Sequence, residues 1–183
     1  ITDEVYGEST MEEGDVWFDE KSLLSPTNPY AATKAAAEYL VKAYFTSFKL
    51  PVIITRGNNV YGPRQFPEKL IPKFCNLMER GRKLCLHGSG LNRRSFLHVD
   101  DVSRAFDIIL HKGEIGQIYN VGTTFEASNI DVARAILKYY GRDKDEKNWI
   151  EYVSDRKFND LRYHIDVSKL ENLGWKPQVL FEQ

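Results

Sequence analysis

Apolar positions along this chain recur at helical and at strand spacing in alternation. "NPYAATKAAAEYLVKAYFTSFK" is rich in alanine and carries Pro29 near its first turn, where a missing N–H costs nothing; it predicts a long helix from Tyr30 to about Phe48. "PVIITRG" has the β-branched run of a strand buried on both faces and ends at Gly57. "PEKLIPKFCNLMERG" predicts a helix kinked in its first part by Pro72 and closed by Gly81. "KLCLHG" and "RSFLHV" predict short strands. In "VDDVSRAFDIILHKG" the apolar Val102, Ala105, Phe106, Ile109 and Leu110 fall on one helical face, with acids at the positive end of the dipole. "QIYNVG" and "WIEYVS" predict strands flanking the helical "NIDVARAILKYYG", and "DVSKLENLGW" a last short helix capped by Asp166 or Ser168. "RDKDEK" reads as a solvated loop, and there is no repeat or low-complexity linker. The alternation predicts an α/β fold with parallel, right-handedly connected strands.

Composition narrows the partners. With 42% hydrophobic and 28% charged residues, the 183-residue chain can bury a sizeable core. A net charge of -1 excludes a surface built to neutralise nucleic-acid phosphates, while leaving local sites such as Arg93 and Arg94 for a small anion. Cys75 and Cys85 have neither disulfide-framework nor zinc spacing, so no metal is expected. No run approaches the roughly 20 apolar residues of a membrane span, and no leader pattern precedes Ile1, so a cytoplasmic protein is expected.

Candidate chemistry gathers at two places. Tyr30 and Lys34 of "YAATK" sit four apart on the long helix and share a face, where an ammonium would favour the phenolate and bring the phenol below its ordinary pKa of about 10. The spacing alone is weak, since "YGRDK" repeats it at Tyr140 and Lys144, but there Gly141 breaks the helix. "TDEVYG" lies upstream at the expected carboxyl end of a strand, where open α/β sheets carry reactive groups. Thr2 can bond a substrate hydroxyl, Asp3 can donate a proton if its pKa is raised, and Glu4 can accept one if it stays ionised; neighbouring carboxylates repel and so separate these roles. Standing alone, "TDE" reads as readily as a strand-end turn with two solvated acids.

Together, "TDEVYGE", "SPTNPYAATKAAAEYLV", "TRGNNVYGP", "FPEKLIPKF", "RSFLHVDDV", "IYNVGT" and "DRKFNDLRYHID" resemble, in order and spacing, the extended short-chain dehydrogenase/reductases, and within them the dTDP-glucose 4,6-dehydratases. The resemblance runs through nearly the whole chain and is greatest to the eukaryotic members; plant rhamnose synthases carry a related domain acting on UDP-glucose. It implies the carboxyl-terminal part of a doubly wound Rossmann sheet (residues 1–63 and 92–113) with a smaller α/β substrate domain (64–91 and 114–183), NAD as cofactor, a nucleotide-sugar substrate and a homodimer formed through the long helix and its neighbour. By the same resemblance, Tyr30 takes the C4 hydroxyl proton and Lys34 activates it and contacts the cofactor ribose. Thr2 holds the hydroxyl, Glu4 removes the C5 proton and Asp3 protonates the departing C6 hydroxyl, giving a 4-keto-6-deoxy sugar.

Substrate contacts implied in the same way are Asn59, Lys69 and Leu70; Cys85, Leu86 and His87 around the base; Arg94 and Arg156 as a diphosphate clamp, which suits a guanidinium fork; and Asn129, Asp155, Asn159 and Tyr163. Two positions depart from the family pattern: Lys157 stands where proline is usual, and Val60 where bacterial members often have an asparagine that meets the cofactor. His98 and His111 read as structural. No glycine-rich dinucleotide fingerprint occurs in the chain, so the pyrophosphate-cradling units are expected before Ile1, a few residues beyond Gln183, and no activity from this portion alone. Two alternatives stand beside this: a nucleotide-sugar decarboxylase or epimerase, against which the Asp3–Glu4 pair counts, and a non-catalytic piece that binds a partner through an uncovered sheet edge.

Overall fold

The computed structural model describes residues 1–9 and 17–181. Ile1 and Thr2 run parallel to β1 (Ile54–Gly57): the Ile1 amino group donates to the Thr55 carbonyl at 2.8 Å and the Gly57 N–H to the Ile1 carbonyl at 3.1 Å. On the other side β1 pairs in parallel with β5 (Ile118–Val121), Ile54 opposite Ile118. Directly after Thr2 the chain closes into a 3-10 turn, Asp3–Tyr6, capped by the Thr2 side chain. The acids of "TDE" therefore stand where an extended segment ends, as its pattern predicted.

Helix α1 (Pro29–Phe48) starts under an Asn28 cap whose Oδ1 accepts from the Ala31 N–H at 2.8 Å. Only Ala31, Ala35 and Glu38 of it are buried. β2 (Asn59–Tyr61) continues from β1 and pairs in parallel with β4 (Arg93–His98), which pairs antiparallel with β6 (Glu126–Ser128). Neither β2 nor β6 is visible in the pattern of apolar positions, because each is three residues long. β3 (Leu84–His87) and β7 (Ile150–Val153) form a separate parallel pair.

The remaining helices follow the sequence with small shifts. α2 spans Leu70–Glu79, so Pro72 falls in its first turn, where its N–H would have no helical partner; it shapes the start of the helix instead of kinking it. α3 (Val99–Lys112) is capped by His98, whose Nδ1 accepts from the Asp100 N–H at 3.3 Å, and His111 lies in its last turn. α4 (Asn129–Tyr139) opens on a capping box between Ser128 and Asp131 and stops before Gly141, which has φ +66°. "RDKDEK" is exposed but coiled into a 3-10 turn, Asp143–Asp145, leading to α5 (Glu146–Trp149). α6 (Ser168–Glu171) starts with the Ser168 N–H bonded to Asp166 Oδ1 at 2.8 Å.

Three apolar clusters hold these pieces. Phe74, Met78, Leu84, Leu86, Ile136 and Leu137 seal α2 and α4 onto β3 and β7. Leu97, Ala105, Ile109, Tyr119, Val121, Leu170 and Trp175 join α3 to β4, β5 and α6. Val5, Tyr6, Ala35, Ile165 and Val167 fasten the 3-10 turn to α1 and to the returning 164–167 segment. Each fully buried aliphatic or aromatic side chain contributes about 1.5–3 kcal/mol. Residues 118–121 and 168–175, which the sequence division groups with the second lobe, thus pack and pair with β1, β4 and α3 of the first. Among the described residues no helix is long and apolar enough to cross a membrane.

Candidate active site

The 3-10 turn, the first turns of α1, the β1–β2 joint and the 156–163 segment surround a cleft of about 1010 Å³. Thr2, Glu4, Tyr30, Lys34, Asn59, Lys69, Leu70, Arg94, Arg156, Asn159 and Tyr163 line it, so sites far apart in the chain meet around one space.

Asp3 lies just behind the cleft wall, with 2% of its surface exposed. Thr2 Oγ1 donates to its Oδ1 at 3.1 Å and Asn58 Nδ2 to its Oδ2 at 2.7 Å. Burial pushes this carboxyl up to about 6, and the Glu4 charge adds to the rise, while the bonds from Asn58 and Thr2 and the charge of Arg94 oppose it. An acid so placed keeps its proton into the range where it can donate near neutrality. Glu4 is half-buried at the rim and accepts from Asn28 Nδ2 at 3.2 Å. The two carboxyl groups are adjacent in sequence but unlike in environment, the separation that assigns acid and base to different side chains.

Tyr30 is 52% exposed. Its phenol is pushed up, first by partial burial and then by the negative charges of Glu4 and Asp3. The expected lowering by Lys34 is not found: the Lys34 ammonium lies over the Tyr30 ring, 5.6 Å from its centroid, so its charge meets the ring face. Lys34 has no carboxylate partner among the described residues, which leaves its three donors available in the cleft.

Arg94 is half-buried, with its guanidinium 4.7 Å over the Tyr163 ring and donating to the backbone carbonyls of Asp160, at 3.0 Å, and of Arg93, at 2.7 Å. Arg156 is exposed at the cleft edge. Tyr163 is buried; burial and its bond to Asp160 push its phenol far up. Cys85, Leu86, His87, Asn129 and Asp155 do not reach the cleft lining. Leu86 points inward from β3 into the core, 1% exposed, as strand alternation requires of it and Leu84. His87 Nδ1 meets the Ser154 carbonyl at 3.2 Å, and Asp155 Oδ1 accepts from Asn159 Nδ2 at 3.3 Å.

Several residues that shape the site were not singled out from the sequence. Asn58 is buried and bridges Asp3 to the Thr123 N–H. Asn28 ties the α1 cap to Glu4 and to Asp160, which also accepts from Thr27 and Tyr163. Deeper still, Arg56 forms a two-point bond with Glu38, at 2.9 and 2.5 Å, and donates to the Tyr6 hydroxyl at 2.7 Å. The sequence signal for Asn28 was its place before Pro29, a cap followed by proline at the first helical position. Arg56, inside an apolar run, was a buried charge in need of a partner.

Comparison with known proteins places the chain in a family. The chain is 47% identical over 220 residues to the dTDP-D-glucose 4,6-dehydratase of Dictyostelium discoideum, covering all of this chain and 51% of that protein. It is 56% identical over 181 residues to a trifunctional UDP-glucose 4,6-dehydratase/UDP-4-keto-6-deoxy-D-glucose 3,5-epimerase/UDP-4-keto-L-rhamnose-reductase of Arabidopsis thaliana, covering 99% of this chain and 27% of that one. Among solved structures, the dTDP-glucose 4,6-dehydratase of Streptomyces venezuelae with NAD and TYD bound superimposes with a TM-score of 0.90 at 41% identity, over 98% of this chain and 54% of its own. The chain thus spans about half the length of the dTDP-glucose 4,6-dehydratases it matches. Residues 1–183 match the GDP-mannose 4,6 dehydratase family from end to end, and the chain belongs to that family.

Proposed function

We propose that the protein is a nucleotide-sugar 4,6-dehydratase that converts dTDP-glucose, or in the runner-up reading UDP-glucose, to its 4-keto-6-deoxy derivative with NAD+ as a tightly used cofactor. The observation that carries this is the pairing of a buried Asp3, held at about 6, with a rim carboxylate, Glu4, beside Tyr30 and Lys34. A decarboxylase or epimerase has no need of two carboxyl groups, one buried and one at the rim, at one sugar.

NAD+, when bound, would supply the hydride acceptor and donor. The residues present fit it: among the described residues Lys34 has no carboxylate partner and faces the cleft, and Tyr30 shares its helix face, so these two would meet the ribose and the sugar's C4 hydroxyl. In this scheme Tyr30 removes the C4 hydroxyl proton, Glu4 removes the C5 proton made acidic by the neighbouring ketone, and Asp3 supplies the proton that lets the C6 oxygen leave as water. Thr2 holds the hydroxyl, Arg156 and Arg94 take the diphosphate, and Asn59, Lys69, Leu70, Asn159 and Tyr163 complete the wall.

The lobe next to the cofactor is assigned to residues 1–63 and 92–113 together with β5, and the substrate lobe to 64–91 and most of 114–183. The exposed Tyr39, Leu40, Tyr44 and Phe48 of α1, and Phe106 and Leu110 exposed on α3, support a homodimer through these helices. The cytoplasm, where NAD+ and nucleotide sugars coexist, is the proposed location.

The test is product analysis by NMR and mass spectrometry after incubation of the full-length protein with NAD+ and dTDP-glucose or UDP-glucose in deuterated water; residues 1–183 alone are expected to be inactive. The expected product has lost one water, carries solvent deuterium at C5 and keeps the C4 hydrogen at C6. A product that retains its C6 oxygen, or that has lost carbon dioxide, refutes the proposal.

A further inference from the structure

We propose that Asn58 is a positioning residue that confines the acidic proton of Asp3 to Oδ1, the oxygen that faces Thr2 and, through it, the cleft. The role of that proton in dehydration rests on the function proposed above; its location rests on hydrogen bonds alone.

The Asn58 carboxamide has one acceptor end and one donor end, and its surroundings leave a single orientation. The Thr123 backbone N–H, which can only donate, lies 3.0 Å from Asn58 Oδ1. The amide nitrogen therefore faces Asp3 Oδ2, at 2.7 Å. Turning the amide over would set two donors against each other at Thr123. Asp3 Oδ2 thus receives an N–H whatever its protonation state, and a proton on the neutral acid has only Oδ1 to occupy.

Oδ1 is 3.1 Å from Thr2 Oγ1. A hydroxyl offers two lone pairs and one hydrogen. At Thr2 one lone pair takes the Glu4 N–H at 3.4 Å, and the other is free for Asp3 Oδ1–H. The Thr2 hydrogen can then turn into the cleft, which Thr2 lines and the buried Asp3 does not. Release follows as a two-step exchange. The Thr2 O–H breaks as its hydrogen bonds to the acceptor in the cleft, and the Asp3 O–H breaks as its proton passes to Thr2 Oγ1. Asp3 ends as a carboxylate accepting from the Thr2 hydroxyl, the bond seen in the structure, and the acceptor gains one proton.

Space for this device comes from Gly122: a Cβ there would overlap Asn58 Oδ1 and displace the carboxamide. The charged and titratable groups facing Asp3 are Glu4 on its own turn, Arg94 from β4 and Tyr30 from α1, and all three remain in the variants below. Burial drives Asp3 upward and the Asn58 bond restrains it, so losing that bond weakens the acid further.

The experiment is a carbon-13 NMR titration of the Asp3 side-chain carboxyl in the protein and in Asn58→Leu, Asn58→Ser and Gly122→Ala. Asn58→Leu and Gly122→Ala are each expected to raise the midpoint by about one to two pH units, since a bond to a charged group is lost, and Asn58→Ser by less. A midpoint unchanged in Gly122→Ala and Asn58→Ser, with the folded spectrum retained, overturns the proposal even if Asn58→Leu does not fold. If the proposed function were wrong, the full-length protein would form no dehydrated product, yet the midpoints would still move.

Discussion

Replacing Arg56 by methionine tests whether the helix bearing Tyr30 and Lys34 is held in place by charge as well as by packing. Tyr30, Lys34 and Glu38 fall at four-residue steps on α1 and share a face; Glu38, fully buried, is the point where that face meets β1. Arg56 is 1% exposed and contacts Glu38 at 2.9 and 2.5 Å, and its third nitrogen bonds the Tyr6 hydroxyl at 2.7 Å, which passes on to Asn120 at 2.8 Å. Arg56→Met leaves Glu38 with Lys42 alone, at 2.7 Å from a half-exposed side chain. Breaking a buried ion pair from one side costs about 3–5 kcal/mol. For a chain of this size that is roughly 6–20 °C in Tm. Glu38→Leu should cost a similar amount. The double variant should recover most of the loss, because no buried charge is left unpaired. Urea and thermal unfolding followed by circular dichroism measure all three. Burial would raise the Glu38 carboxyl, but Arg56 and Lys42 prevail and hold it below its ordinary 4.5. Its contribution is therefore complete above the ordinary glutamate range and disappears as pH falls below it, and Arg56→Met should soften that acid limb. A single-variant loss below about 1 kcal/mol, or a double variant as unstable as the sum of the singles, would refute the reasoning.

Other outcomes follow from the same geometry. Asp3 binds its proton more tightly folded than unfolded, so stability should fall as pH rises from 3.8 to about 6, by about 3 kcal/mol in all. Asp3→Asn should remove that slope and be the more stable form at pH 7.5 in urea titrations; an unchanged slope would contradict the buried acid. Gly7 closes the 3-10 turn with φ +88°, and a Cβ there would lie 2.5 Å from the Ser25 carbonyl, so Gly7→Ala should cost at least about 2 kcal/mol in the same assay. Asp101, fully buried at the start of α3, accepts the Gln178 and Val179 N–H groups at 2.8 and 3.0 Å, while its carbonyl accepts the Trp175 indole N–H. Asp101→Ala should speed hydrogen exchange at those two amides by at least tenfold without altering exchange in α4.

Helices and strands long enough to show a period were legible in the chain. α1, α3 and α4 each repeat their apolar or small positions over three turns or more, and their caps are local signals carried by neighbouring residues. The residue types around the cleft were legible through the family resemblance, since the "YAATK" spacing alone is weak, "TDE" alone reads as readily as a turn, and the roles in "DRKFND" came with the resemblance. β2 and β6 were not, being too short for a period and made only by pairing with β4.

What the order of residues determined by itself is therefore the longer elements, since their periods and caps depend on neighbours a few positions away. Which groups share an environment was decided only by the folded chain. The Asp3 carboxyl is pushed up to about 6 because the fold buries it, against the opposing bonds from Asn58 and Thr2. Lys34 lies over the Tyr30 ring instead of beside its oxygen, and Leu86 turns into the core while Asn58 turns toward the acid. The physical reason is that desolvation and hydrogen-bond direction belong to the three-dimensional surroundings of an atom, and a linear pattern carries no measure of either.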